Sequence, residues 1–131
     1  MEKEELIKQI EEAPGFFKHN NYKFIDYEEG KYAELKVELN DNSYNPYKIA
    51  HGGLIFGLGD HAMGIVAGTT GRNVVTLSSN ISYLKPAKGK YLIAKAEMIK
   101  NGKTTCFLRC NIYNDNNDLV STMDGNYYYI N

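Results

Sequence analysis

The chain has 131 residues, enough for one domain with a real core. Hydrophobic residues make up 43%, charged residues 24%, and the net charge is −1 at pH 7, so neither nucleic acid nor an anionic membrane is expected as a partner. The opening Met1-Glu2-Lys3-Glu4-Glu5-Leu6 does not read as a signal peptide. The two cysteines, Cys106 and Cys110, sit about 13 Å apart on an extended strand, too far to bridge each other, so a reducing, cytoplasmic setting is expected.

Residues 2–12 form a short amphipathic pattern with Leu6, Ile7 and Ile10 on its apolar side. Ala13-Pro14-Gly15 ends it, and Phe16 and Phe17 read as packing anchors. Residues 1–17 are thus an N-terminal helical extension of a single domain spanning 1–131. Residues 24–27 and 31–39 read as two strands around Glu28-Glu29-Gly30. The second alternates Tyr32, Glu34, Lys36 and Glu38 with Ala33, Leu35, Val37 and Leu39. Residues 40–47 form a polar loop, and Asn45-Pro46 is a common turn dipeptide.

From Ile49 to Ala67 the chain is apolar or glycine except for His51, Asp60 and His61. That run predicts a buried helix of about four to five turns. It is too interrupted by polar groups for a membrane span. Gly53, Gly57, Gly64 and Gly68 fall on one helical face, with Asp60 among them. Each helical glycine costs roughly 1 kcal/mol relative to alanine, so the stripe suggests close approach by backbone or ligand. The opposite face carries Leu54, Leu58, Ala62 and Ile65, with Phe56 and Met63 on the flanks.

The loop 68–73 leads into predicted strands 74–84, 91–100, 104–113 and 119–130. Residues 85–89, Asn101-Gly102 and 114–118 supply the turns between them, and Asn-Gly is a strong hairpin signal. This order implies an α+β domain: a curved antiparallel sheet around one central helix.

The chemistry concentrates on that helix. Asp60 is a carboxylate in an otherwise dry stripe. His51-Gly52-Gly53 places bare N–H groups at the helix start, where partial positive charge collects and an oxyanion is stabilised. Gly52 and Asp60 are eight residues apart, about 12 Å along one helix, so no single acyl carbon touches both. If both act on one substrate, one comes from a second copy, as in a two-fold dimer of antiparallel helices. His61 points about 100° away from Asp60 and reads as structural. Ser78, Ser79 and Ser82 lack a nucleophile-elbow motif. The three histidines lack zinc-site spacing, so no metal is expected.

Three motifs occur in order: His51-Gly52-Gly53 with Asn45 before it and Asp60 after it, then the stretch from Val75 to Ala87, then Lys100-Asn101-Gly102-Lys103-Thr104. From about Tyr32 to the C-terminus they resemble the hotdog-fold acyl-CoA thioesterases of the phenylacetate-pathway and 4-hydroxybenzoyl-CoA thioesterase type. The resemblance implies a hotdog fold and hydrolysis of an acyl-CoA thioester. It makes Asp60 the general base or nucleophile, assisted by Thr76. It makes the Gly52 N–H the carbonyl-polarising donor and Asn45 an orienting group, with His51 supporting the helix start. Coenzyme A then lies across Gly53, the segment Tyr83, Leu84, Lys85, Pro86, Ala87 and Lys88, and the turn Lys100, Asn101, Gly102, Lys103 and Thr104. It travels with the substrate, so no separate cofactor is implied. The family also implies a homodimer, often paired into a dimer of dimers. The chain departs from it in a helix unusually rich in glycine and in Ser78-Ser79, where many relatives carry an acidic residue. Two further readings stand beside this one: a non-catalytic acyl-CoA-binding hotdog protein, and an enoyl-thioester hydratase. The hydratase wants an Asp and a His one helical turn apart, which Asp60-His61 does not supply. The acyl group is not specified by these residues.

Overall fold

The computed structural model describes residues 2–131. Its centre is the helix α3, Gly52–Gly68, eight of whose residues are buried. His51 is its N-cap, and the Gly53 N–H donates to His51 Nδ1 at 2.8 Å. Ile55, Leu58, Ala62, Met63, Val66 and Ala67 are buried along it. At the C-terminal end the Thr69 and Thr70 hydroxyls donate to the carbonyls of Val66 and Ala67, closing off the last turn.

The helix starts later than the apolar run does. Ile49 and Ala50 belong to a small hairpin in which Tyr44 bridges Ala50, the Asn45 N–H donates to Ile49 O, and the Ala50 N–H donates to Ala87 O. Apolar content alone therefore misplaces the boundary; the cap side chain sets it.

Around α3 lie two preceding helices, α1 (Lys3–Glu12) and the single-turn α2 (Phe16–His19), and six strands: β1 (Tyr22–Glu28), β2 (Tyr32–Glu38), β3 (Val74–Tyr83), β4 (Tyr91–Asn101), β5 (Thr105–Asn114) and β6 (Leu119–Tyr129). The strands form one antiparallel sheet in the order β1-β2-β4-β5-β6-β3. The expected α+β arrangement of a curved antiparallel sheet on a central helix is what the chain adopts. Alternate residues of each inner strand meet α3: Ala33, Leu35 and Val37; Leu92, Ala94 and Ala96; Leu108, Cys110 and Ile112. Both cysteine thiols are buried and free. β3 is an edge strand whose far side is unpaired among the described residues, and Leu77 on it is 62% exposed. α1 has no buried residue; Leu6, Ile7 and Ile10 only rest against the core.

The glycine stripe divides. Gly57 is covered by Phe16 and the Tyr22 hydroxyl, whereas a Cβ on Gly64 or Gly68 meets only Tyr127 at 3.8 Å or Val74 at 3.9 Å, ordinary contact distances. Along α3 the tightest approach falls on Gly59, outside the stripe, where a Cβ collides with Met123 Sδ and crowds Ile112. Gly59→Ala is therefore expected to destabilise the domain by about 1–3 kcal/mol. Gly64→Ala, with Tyr127 no nearer than 3.8 Å from the new carbon, is expected to gain up to about 1 kcal/mol of helix propensity. Urea unfolding of the two variants checks this; equal midpoints would refute it.

Candidate active site

Asp60 lies midway along α3 and faces the β3–β6 pair. Thr76 and Tyr127 are direct cross-strand partners there. The Thr76 hydroxyl donates to Asp60 Oδ1 at 2.9 Å, and the Tyr127 hydroxyl donates to the same oxygen at 2.6 Å. Tyr127 also reaches the Asp60 carbonyl at 3.1 Å. Two donors on Oδ1 fix the carboxylate plane, and Oδ2 has no partner among the described residues. Tyr127 is only 1% exposed. Burial, and after it the hydrogen bond to Asp60, hold its phenol far above the ordinary tyrosine range, so it stays protonated and donating.

Asp60 and Thr76 border a cavity of about 480 Å3 whose apolar lining includes Leu6, Ile10, Ile65, Val74 and Val75. His61 also borders it but turns into an aromatic cluster. Its ring stacks on Phe16 at 5.9 Å, meets Phe17 edge-on at 5.2 Å and Tyr22 at 5.5 Å. Burial pushes its imidazole below the ordinary histidine range against the pull of the Asp60 carboxylate. That is the behaviour of a packed, neutral ring, as its position on the helix suggested.

A second cavity, of about 400 Å3, opens at the start of α3 between Asn45, Gly52 and the segment from Tyr83 to Ala87. The Gly52 N–H, in the first helical turn, meets no acceptor among the described residues. Asn45 Oδ1 accepts from the N–H groups of Tyr47 at 2.9 Å and Ile49 at 3.3 Å, which leaves Nδ2 as its free end. Asn45 is thus a turn former that also borders this cavity together with Gly52. The Gly53 N–H is taken by His51, whose Nε2 then carries the ring proton. The Tyr83 hydroxyl donates to Gly52 O at 2.7 Å and lies so close that a Cβ on Gly52 falls 2.9 Å from it. Lys85 pairs with Asp118 at 3.0 Å, and that ammonium holds the Asp118 carboxyl below the usual carboxylate range. Ala87 is buried, Lys88 exposed.

The two cavities have no lining residue in common. Asp60 with Thr76 and Asn45 with Gly52 are therefore brought together as two pairs, not as one group of four. The turn Lys100–Thr104 lies at the other end of α3 from Tyr83. Arg72, just past the helix, donates to Lys103 O at 2.8 Å, and the Tyr129 hydroxyl donates to Asn101 Oδ1 at 2.5 Å. Gly102 is required there, because a Cβ falls 2.7 Å from Thr105 O. Lys100 and Lys103 are exposed. Among the described residues no three His, Cys, Asp or Glu side chains gather, and no helix is long and apolar enough to cross a membrane.

The sequence profile of the thioesterase superfamily matches residues 47–121, which take in both cavities' polar groups except Asn45 and Tyr127. The solved structure of PaaI from the phenylacetic acid degradation operon of E. coli has the same fold (TM-score 0.88, 24% identity, 95% of this chain and 90% of that one). The Streptococcus mutans protein smu.793, solved with acetyl-CoA, is 31% identical over 90% of this chain and 93% of its own (TM-score 0.81). A hypothetical thioesterase protein from Streptococcus pneumoniae, solved with coenzyme A, is 31% identical over 84% of this chain and 89% of its own (TM-score 0.78). Two further structures of the pneumococcal protein carry an Asp-to-Ala and a Thr-to-Ala substitution at positions sixteen residues apart. By its profile match, these relatives and its hotdog architecture, the chain belongs to the thioesterase superfamily and is a thioester hydrolase.

Proposed function

We propose that the protein hydrolyses an acyl-CoA thioester at two equivalent sites, each built from both chains of a homodimer. The observation that carries this is the Asp60 carboxylate, pinned through Oδ1 with Oδ2 left free at the floor of an apolar cavity. Sixteen residues also separate Asp60 from Thr76, the spacing of the two positions substituted in the pneumococcal relative. That relative and smu.793 were solved with coenzyme A and acetyl-CoA, which favours a coenzyme A thioester here.

In this reading Asp60 Oδ2 takes a proton from a water, and the resulting hydroxide attacks the thioester carbonyl carbon. Direct attack by the carboxylate is the variant with an acyl-enzyme step. The carbonyl oxygen becomes an oxyanion between the Gly52 N–H and Asn45 Nδ2 of the second chain, at the positive end of its α3. Collapse of the tetrahedral intermediate breaks the carbon–sulfur bond, and the proton held by Asp60 passes to the departing thiolate. A thioester is already activated, so one base and one oxyanion site suffice, with about 10²–10⁴-fold and 10²–10³-fold as their ordinary contributions. No separate cofactor enters.

The shared site is supported by distance and by the edges of the fold. Gly52 and Asp60 lie about 12 Å apart along α3 and open into different cavities. The unpaired edge of β3 offers a second copy a ready surface. Antiparallel α3 helices then set Asn45 and Gly52 of one chain against Asp60 of the other. The same pairing sets the segment Tyr83 to Lys88 of one chain beside the Lys100–Thr104 turn of the other, a composite basic surface for the nucleotide end of coenzyme A.

Thiol release from short, medium, long and aromatic acyl-CoAs, by the native protein and by Asp60→Ala, tests the proposal. Free thiol from the native protein alone is the expected result. A bound but unchanged thioester marks a binding protein, and a hydrated thioester marks a hydratase; either outcome overturns it.

A further inference from the structure

The cavity above Asp60 is not walled by the sheet and α3 alone. Two of its lining residues, Leu6 and Ile10, come from α1, four residues apart and so on one helical face. α1 crosses the cavity between two polar pins, both on β1. At one end Lys3 pairs with Asp26 and lies 5.1 Å from the Tyr27 ring centre. At the other the Phe24 N–H donates to Glu11 Oε2 at 2.7 Å. Between the pins no α1 residue is buried, and the apolar side chains reach the core only in part. An amphipathic helix ordinarily seats its apolar stripe on the core. Here the stripe packs on the core only in part, and Leu6 and Ile10 of it also line the largely apolar cavity.

We infer that α1 is the outer wall of the acyl pocket, and that the pocket takes an uncharged, apolar acyl group much longer than acetyl. The inference rests on Asp60 as the reacting group and adds the substrate class and the residues that set it. Three features carry it. First, the cavity of about 480 Å3 is of the size that holds a whole small ligand, whereas an acetyl group has roughly the bulk of two waters, roughly 60 Å3. Second, among the described residues the lining carries no lysine or arginine, and its one charged group is Asp60. An acyl group ending in a carboxylate would face that charge with no compensating cation. Third, Leu6, Ile10 and Ile65 line the pocket, and their side chains offer dispersion contact and no hydrogen bond.

The test uses the full-length protein and S-alkyl-CoA thioethers, which carry the chain but no cleavable carbonyl. Binding of S-ethyl-, S-hexyl- and S-(5-carboxypentyl)-CoA is measured for the native protein, for Leu6→Ala/Ile10→Ala and for Ile10→Trp, each checked for native melting. In the native protein each methylene between ethyl and hexyl is expected to tighten binding by up to about fourfold. The terminal carboxylate is expected to reverse that gain by about tenfold or more. Opening the wall in the double variant, or filling it with tryptophan, is expected to shrink the hexyl-to-ethyl affinity ratio by about tenfold. A ratio unchanged in both variants, or equal binding of the hexyl and carboxypentyl thioethers, overturns the inference. Because the thioethers report binding alone, an absence of thiol release from the corresponding thioesters condemns the hydrolytic reading and leaves this test intact.

Discussion

Asp60→Asn is expected to lower kcat for thioester hydrolysis by about three orders of magnitude while leaving the domain folded. The substitution is nearly isosteric, and an amide oxygen still accepts from both Thr76 and Tyr127. What it removes is the capacity of the second oxygen, Oδ2, to take a proton or attack. The two donors are expected to behave differently. Tyr127→Phe and Thr76→Val each leave a carboxylate with one donor, free to swing about its Cβ–Cγ bond. Each is expected to lower kcat by about tenfold with little change in KM, as befits positioning residues. Steady-state kinetics on one good substrate reads all three. Full activity in Asp60→Asn would remove Asp60 from the chemistry. A loss in Tyr127→Phe as large as that in Asp60→Asn would make Tyr127 a proton donor to the substrate instead of a brace.

Tyr127 is also the site residue that the sequence did not announce. It stands in the run Tyr127-Tyr128-Tyr129, where alternation tells which tyrosines face inward but not what they face. Its partner Thr76 is fifty-one positions earlier, on a strand that joins the sheet beyond β6; only the strand order pairs them. Asp60, by contrast, was legible because a charge inside an apolar run has few bland explanations. The glycine stripe was half legible. Helical spacing correctly put Gly64 on the open side with Asp60, but the closest packing fell on Gly59, since what crowds a glycine comes from Met123 and Ile112 on other strands. The start of α3 was legible from His51-Gly52-Gly53, not from hydrophobicity, because the apolar run begins at Ile49 and both Ile49 and Ala50 belong to a small hairpin ahead of the helix. The one-turn α2 is too short to leave a periodic pattern. The separation of Asp60 from Gly52, in turn, needed only their positions on one helix.

That separation leads to a result with a large and unusual signature: two inactive variants are expected to make an active protein. Asp60→Ala lacks the base. Gly52→Pro lacks the oxyanion donor, and the backbone suits it, since Gly52 is the first helical residue and His51 before it already has the extended backbone (φ −63°, ψ 135°) that precedes a proline, while its Cβ meets the Tyr83 hydroxyl as alanine's does. Gly52→Ala is the control, because it adds a carbon against the Tyr83 hydroxyl yet keeps the N–H. Proline is expected to fall below alanine by about 10²–10³-fold in kcat. When chains of Asp60→Ala and Gly52→Pro carry different tags and are refolded together, the hybrid dimer has one site with both defects and one with neither. The purified hybrid is expected to recover about half the native activity per dimer, at least about a hundredfold above either parent. Were each site confined to one chain, every site in the hybrid would carry one defect and the mixture would stay as inactive as its parents. The recovery therefore reports, without a ligand-bound structure, that the carboxylate and the oxyanion donor meeting on one thioester belong to different chains.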